Sequence, residues 1–236
     1  MSTIKFQYIF YRKLEEPISY DIEIDETTLT LVPYPVATRR QWTRLESNTC
    51  ENCPLNPAEH PYCPLASNIS QVVEEFKDHT SYDPTTVTVI GPERTYSKEV
   101  PLQYGIFSIL GLIMATSECP HMTFLKPMAR FHLPFASAEE TIVRTVSLFL
   151  LRQYLRSKTD SETSFDLAKL DDCYAKVNRV NKGMVKRIRS IAGGDADANA
   201  IVILHSLATL LSQSLSENLA EIAPIFADAE SPAAPV

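Results

Sequence analysis

Three of the five cysteines in this chain of 236 residues lie close together, at Cys50, Cys53 and Cys63. Two residues separate Cys50 from Cys53, so both sulfurs can reach one ion from a single tight turn, and Cys63 can return to the same point. A proline directly follows Cys53 and another follows Cys63, and each fixes φ just after the sulfur. Thiolates with this spacing predict a metal-binding site.

A tetrahedral metal site needs a fourth ligand besides these three cysteines. Cys119 is the best candidate, because it forms a third Cys-Pro dipeptide and follows an apolar segment of the chain. His121 and His60 are the alternative fourth ligands. The remaining cysteine, Cys173, falls inside a helical pattern, where a reduced thiol packs as a small apolar side chain.

The expected cofactor is a structural zinc ion, and a [4Fe-4S] cluster is the alternative, because thiolates suit both. The same pattern has two further interpretations, which are reduced cysteines that pack without a metal, and thiol redox chemistry. Zinc held by four protein ligands leaves no coordination position for a water molecule. Such a site would tie a loop near residue 50 to a loop near residue 119 and would not catalyse a reaction.

A second polar group, formed by Lys126, Arg130 and His132, lies in a proline-interrupted segment of the chain. These side chains could form an anion or substrate pocket, in which the two cations bind a phosphate or carboxylate and His132 acts as acid, base or donor. The alternative is an ordered connector whose polar groups bond backbone carbonyls. No Gly-rich phosphate loop, nucleophile elbow or HExxH motif accompanies the group, so no particular reaction is indicated.

The charge and hydropathy of the chain argue against two classes of partner. The 22 basic and 29 acidic residues give a formal net charge of −7, which disfavours a general nucleic-acid-binding protein. The first ten residues lack the features of a secretory signal, and the longest apolar run, 104–115, is shorter than the roughly 20 residues that cross a bilayer. We therefore expect a cytoplasmic protein without membrane contact and without a nucleic-acid partner.

The N-terminal part of the chain has the two-residue period of β-strands. Apolar and polar residues alternate over 4–10 and 18–24, and a third run follows at 28–32, which together predict a small antiparallel meander. Residues 85–100 predict a further hairpin. The cysteine loop and a short helix lie between these β segments.

The C-terminal half is predicted to be helical from Pro101 onward. Ser137 and Glu140 have the spacing of a capping box, which begins a helix. The whole pattern predicts an α+β fold, in which a small antiparallel sheet packs on a helical half that ends in an αα-hairpin. Its predicted regions are 1–156 with the cysteine cluster, 157–226 as the helical hairpin packed in the same domain, and a disordered tail at 227–236.

Residues 167–191 have the most regular helical pattern in the chain. Their apolar side chains follow a heptad repeat, with Asn181 in the one polar slot, where such a residue can fix the register of two helices. This seam makes a homo-oligomer plausible, although the following helix could cover it within one chain because the connection at Gly193 and Gly194 is short.

The motifs CxxCPL…HPxCPLA, TYSK and ECPH…PMARFHLPFAS, taken together, resemble a family of uncharacterised bacterial proteins, a domain of unknown function. The resemblance runs through most of the chain and implies a bacterial cytosolic protein of single-domain size. It implies no activity and no catalytic residues.

The residues themselves therefore carry the functional hypothesis. The chain is expected to be a non-enzymatic, cytosolic binding or assembly protein stabilised by a structural zinc site. The alternatives are an iron–sulfur or thiol redox sensor, and an enzyme with an anion-binding pocket around Arg130 and His132.

Overall fold

The computed structural model describes residues 2–13, 15–33 and 40–227. Within these residues the chain forms one four-stranded antiparallel sheet and six α-helices, and the helices dominate the C-terminal half. The predicted α+β class is therefore confirmed. The tail predicted to be disordered lies outside the described residues from residue 228 onward.

The sheet unites the predicted meander and the predicted hairpin. Its strands are β1 (Thr3–Arg12), β2 (Ile18–Asp25), β3 (Pro84–Ile90) and β4 (Thr95–Pro101). The strand order is β2-β1-β3-β4, because β1 pairs with β2 on one edge and with β3 on the other. Tyr8 is thus paired with Tyr20 on one side and with Val89 on the other.

The third strand predicted at 28–32 does not form, apart from an isolated bridge between Leu31 and Ile24. The Asp25 carboxylate accepts hydrogen bonds from the backbone N–H and the hydroxyl of Thr28. The backbone after this turn lies beside β2 only briefly: the Asp25 N–H donates to the Thr30 carbonyl and the Val32 N–H donates to the Glu23 carbonyl, but the Leu31 N–H donates to the Thr116 carbonyl outside the sheet.

Six helices cover the sheet and one another. They are α1 (Pro64–Phe76), α2 (Leu102–Ala115), α3 (Lys126–Arg130), α4 (Ala138–Ser157), α5 (Ala168–Arg189) and α6 (Ala196–Ser216). Alternate side chains of the strands point into the core, where the Phe10 ring lies 5.0 Å from the Phe76 ring of α1. The predicted capping box forms at the start of α4, since Ser137 Oγ accepts from the Glu140 N–H and Glu140 Oε2 accepts from the Ser137 N–H.

The heptad seam of α5 is buried within the chain itself. Its apolar residues pack in the core, and α5 and α6 form the predicted antiparallel pair. The turn between them docks beside the end of α1, where the Gly194 N–H donates to the Lys77 carbonyl at 2.7 Å. A Cβ atom on Gly194 would lie 2.2 Å from the His79 carbonyl oxygen, so only glycine allows this close approach.

One helix of the described chain, α6, is long and apolar enough to cross a membrane by length and composition alone. It packs on both α5 and α2, and Ile201, Ala208 and Leu211 are buried there. A buried core helix has the same composition. The absence of membrane contact stays a prediction.

Candidate functional site

Four cysteines from three segments of the chain line one small cavity of about 20 Å³. Cys50 and Cys53 lie in the loop before α1, Cys63 lies at the start of α1, and Cys119 follows α2. Val180 and Met184 of α5 close the cavity on the helical side. The four sequence-predicted ligands are therefore brought to the same place, between the loop, two helix ends and the side of α5.

Cys63 and Cys119 have the same local geometry. The backbone N–H groups of Leu65 and Ala66 are close enough to the Cys63 sulfur to lower the pKa of its thiol, and those of His121 and Met122 act in the same way on Cys119. In both segments the donors lie two and three residues after the cysteine, and the residue between is a proline without an N–H. Donors that converge on sulfur stabilise a thiolate and are typical of a metal-ligating turn.

Burial dominates the protonation of these thiols. Loss of water, together with the neighbouring Cys63, Cys119 and Cys53 sulfurs, raises the pKa of Cys50 to about 12. Burial likewise raises the pKa of Cys119 to about 11, against the opposing effect of the N–H donors of His121 and Met122. The thiols raise one another's pKa because each would have to share the cavity with a like charge.

Arg187 of α5 is a buried cation that lies close enough to Cys50 and Cys63 to lower their pKa values. Arg187 is 1% exposed, and its guanidinium donates to the carbonyls of Trp42, Arg44 and Leu45 at 2.7–2.9 Å. Among the described residues no carboxylate lies within salt-bridge distance of it. Its positive charge is thus uncompensated by any acidic side chain there.

The remaining histidines and cysteine near this pattern have other environments. His121 lines the same cavity, but its Nε2 lies 2.6 Å from the Asn52 carbonyl oxygen, so it binds the cysteine loop. His60 is exposed and does not line the cavity. Cys173 is partly buried on α5 and lines a separate depression together with Phe124.

The donor atoms are assembled, but they are not arranged around a single point. In the described part of the chain no three His, Cys, Asp or Glu side chains have their donor atoms positioned to hold a metal ion. Metal binding would require the four cysteine side chains to turn toward one centre. The donor set itself fits zinc, which binds four thiolates.

The second polar group predicted from the sequence is spread over three environments. Lys126 Nζ donates to the Thr28 carbonyl at 2.8 Å and to Thr30 Oγ1 at 2.7 Å, which anchors the turn after β2. The Arg130 guanidinium lies 5.6 Å from the centre of the Phe131 ring, beside an open groove at the sheet. His132 alone lines the large cavity among the helices.

His132 is tied into a short hydrogen-bonded chain. Its Nε2 lies 2.5 Å from the Tyr8 hydroxyl, which in turn lies 2.9 Å from Ser108 Oγ. Burial, helped by the nearby Arg144, lowers the pKa of His132 to about 3. Arg144, which the sequence pattern did not single out, donates to the carbonyls of Met128 and Phe131. The ring is therefore neutral at physiological pH.

A comparison with protein-family models matches residues 4–227 to a family described as a domain of unknown function, DUF6901. The chain belongs to this family. The DUF6901 match includes the sheet, the cysteine loops and all six helices, so it covers the candidate site and the fold together. The search of curated proteins found no match, and the search of solved structures found none.

Proposed function

We propose that this chain is a non-enzymatic binding or assembly protein of the cytosol whose fold is stabilised by a zinc ion at Cys50, Cys53, Cys63 and Cys119. The observation that carries the proposal is the convergence of these four cysteines, from three separate segments, on one cavity. Ionised thiolates in one cavity repel one another, so four of them can be held there together only when a cation binds them.

The charge of the surroundings supports a thiolate site. Zinc with four thiolates carries a net charge of −2, and burying such a centre needs a nearby positive charge. Arg187 supplies one within electrostatic reach of Cys50 and Cys63, and no acidic side chain among the described residues neutralises it. The backbone N–H donors at Cys63 and Cys119 add to this stabilisation.

The size of the cavity favours a single ion over an iron–sulfur cluster. A volume of about 20 Å³ is near the smallest that holds one water molecule. A [4Fe-4S] cluster contains eight heavy atoms and would need the three segments to move apart. Zinc needs the cysteine side chains alone to turn.

The raised thiol pKa values weigh against a thiol redox sensor. The thiolate is the reactive form of cysteine, and reactive cysteines have pKa values near or below the ambient pH. Cys50, with a pKa of about 12, and Cys119, with a pKa of about 11, are protonated at neutral pH when no metal binds them. The thiols are thus suited to holding a metal, which displaces their protons, rather than to attacking a disulfide.

The enzymatic alternative around Arg130 and His132 has less support. The two side chains face different cavities, and a histidine with a pKa of about 3 neither donates nor accepts a proton readily at neutral pH. Four protein ligands on zinc leave no position for an activated water. The role of the metal in this proposal is to fix the cysteine loop and the Cys119 loop on α5.

The proposal is tested with Cys119→Ser and the matched control Cys173→Ser. Cys119→Ser is expected to lose the zinc and to lower the melting temperature by roughly 10 °C or more, since metal binding is then part of the folding free energy. Cys173→Ser is expected to retain one zinc per chain, with a small change in melting temperature. Metal content is measured by elemental analysis, and a Cys119→Ser protein with unchanged melting temperature contradicts the proposal.

A further inference from the structure

A second and larger cavity lies among the helices, separate from the cysteine cavity. Its volume is about 150 Å³, and it is a partly open cavity lined by α2, α5, α6 and the segment from 122 to 144. The lining is largely apolar, with side chains such as Leu112, Met128 and Leu211. No acidic side chain of the described residues lines it.

One buried polar side chain in this lining lacks any hydrogen-bond partner. Asn181 of α5 is 1% exposed, and neither its Oδ1 nor its Nδ2 is hydrogen-bonded to a described residue. A buried amide left without partners costs on the order of 1–3 kcal/mol. Val177 and Tyr174, on the same face of α5, line the cavity with it.

The other polar groups of the lining are already engaged. Ser108 and His132 both bond the Tyr8 hydroxyl, and the Tyr174 hydroxyl lies 3.2 Å from Thr145 Oγ1. Arg144 donates to the carbonyl of Met128 within α3 and to the carbonyl of Phe131 just after it. Asn181 is therefore the one polar side chain of the described lining with both a free donor and a free acceptor.

We infer that this cavity is a binding site for a small, uncharged, largely apolar molecule with a single hydroxyl group that meets Asn181. The inference is independent of zinc binding at the cysteine cavity. A cavity of 150 Å³ accommodates a molecule of about the size of benzene. A hydroxyl donates one hydrogen bond and accepts another, which matches the free Oδ1 and Nδ2 of one amide.

Charged ligands fit this lining less well. A cation meets no carboxylate in the cavity, and it would lie beside Arg144. An anion would lose its hydration against apolar side chains, while the Arg144 guanidinium already serves two backbone carbonyls. An uncharged ligand has neither cost.

Phenol and toluene form a matched pair of probes, because they differ by a hydroxyl in place of a methyl group. In the wild-type protein phenol is expected to bind about tenfold more tightly than toluene, since it supplies the missing partners of Asn181. Asn181→Leu replaces the amide by an apolar group of similar shape, and it is expected to reverse the preference. Dissociation constants are measured by NMR titration of the full-length protein below the phenol concentration that lowers its melting temperature.

A filling variant separates binding in this cavity from binding elsewhere. Ala208 lines the cavity and is 2% exposed, so Ala208→Leu places extra side-chain atoms inside it and is expected to abolish phenol binding while Asn181 is kept. If Asn181→Leu does not fold, the wild-type preference and Ala208→Leu still test the inference. Equal or tighter binding of toluene by the wild-type protein overturns it. Failure of the wild type to bind phenol also overturns it and would mean that water alone meets Asn181.

Discussion

Gly183 of α5 lies directly against Cys50, so that a Cβ atom on Gly183 would be 2.5 Å from the Cys50 sulfur and 3.3 Å from the Cys50 Cβ. A real side chain does not tolerate such contacts. The glycine therefore allows α5 to pass close to the cysteine loop and to form one wall of the cysteine cavity. The severe contact is with the sulfur, since the Cys50 Cα would lie at an ordinary 3.4 Å, so an alanine here would force the Cys50 thiol to rotate away from its present position.

Gly183→Ala is expected to move Cys50 out of the cysteine cavity and to weaken zinc binding. Alanine normally stabilises a helix interior by up to about 1 kcal/mol relative to glycine, so any loss of stability here reports the clash. Gly111→Ala on α2 is the matched control, since its Cβ would lie 3.6 Å from Leu204 Cδ2, an ordinary contact. Zinc affinity is measured by competition with a chromophoric chelator. Equal zinc affinity in the two variants would contradict the account.

Replacing the buried Arg187 should affect both stability and zinc binding. Arg187→Met leaves the carbonyls of Trp42, Arg44 and Leu45 without their donors, which we expect to cost roughly 3 kcal/mol of unfolding free energy. It also removes the positive charge near the thiols. Arg189→Met, at an exposed position on the same helix, is the control and is expected to change stability by less than about 0.5 kcal/mol. Chemical denaturation of both variants measures the difference.

Asp197 at the start of α6 is a buried carboxyl without a hydrogen-bond partner among the described residues. Burial raises its pKa well above the ordinary value of 3.8, so the folded state holds this proton more tightly than the unfolded state. Its contribution to stability is therefore greatest below pH 3.8 and is lost as the pH rises. Asp197→Asn should raise the melting temperature at pH 7, by roughly 2–4 °C for each kcal/mol gained.

The same substitution at the neighbouring Asp195 is expected to have the opposite effect on the melting temperature. Its carboxylate accepts from the Ser81 N–H at 2.7 Å and from Ser81 Oγ at 3.0 Å, which ties the start of α6 to the loop before β3. Asp195→Asn weakens these charge-assisted bonds and should lower the melting temperature at pH 7. If both substitutions shift the melting temperature in the same direction, the assigned environment of Asp197 is wrong.

His132 gives a second pH dependence, of opposite sign. Its pKa is about 3 in the folded protein, against an ordinary value of 6.5, because burial and Arg144 disfavour the charged ring. Between pH 6.5 and pH 3 the histidine is protonated in the unfolded state but not in the folded state. The contribution of His132 to the free energy of unfolding is therefore fully present above pH 6.5 and is lost as the pH falls toward 3. The free energy of unfolding changes through this residue by at most about 1.4 kcal/mol per pH unit.

His132→Gln should remove this slope, because glutamine does not titrate. The control is His60→Gln at an exposed position, which should leave the slope unchanged. Denaturation curves measured from pH 4 to pH 7 compare each variant with the wild-type protein. A slope that persists in His132→Gln would show that the ring is not held neutral by the fold.

The elements predicted from the sequence are those whose signal lies in consecutive residues. Strict alternation predicted β1 and β2, the capping box predicted the start of α4, and the heptad pattern predicted α5. The error at 28–32 arose because this segment pairs with β2 only briefly and its Leu31 N–H donates to the distant Thr116 carbonyl, which an apolar alternation does not report.

Contacts between distant segments were harder to predict. Arg187 stands in a run of basic residues and has the same side-chain type as its exposed neighbours, yet it is buried against carbonyls near residue 44. Its position seven residues after Val180 and three after Met184 was the available signal, since that spacing returns to the buried face. Lys126, Arg130 and His132 are near in sequence, but turns separate their side chains.

Asn181 has one property that the sequence predicted and one that only the structure reveals. The heptad pattern identified it as a polar residue in an apolar seam, where it was expected to fix the register of a helix pair. The structure adds that its amide is unpaired and lines a cavity, which depends on α2 and α6 as well as on α5. No pattern within α5 carries that information.

X-ray absorption at the zinc edge of the purified protein tests the central claim most directly. The account predicts one zinc per chain with four sulfur neighbours at about 2.3 Å, because all four cysteines that line the cavity would be its ligands. Cys173→Ser should give the same spectrum. A protein that contains no zinc, or zinc whose neighbours are mainly nitrogen and oxygen, would contradict the account.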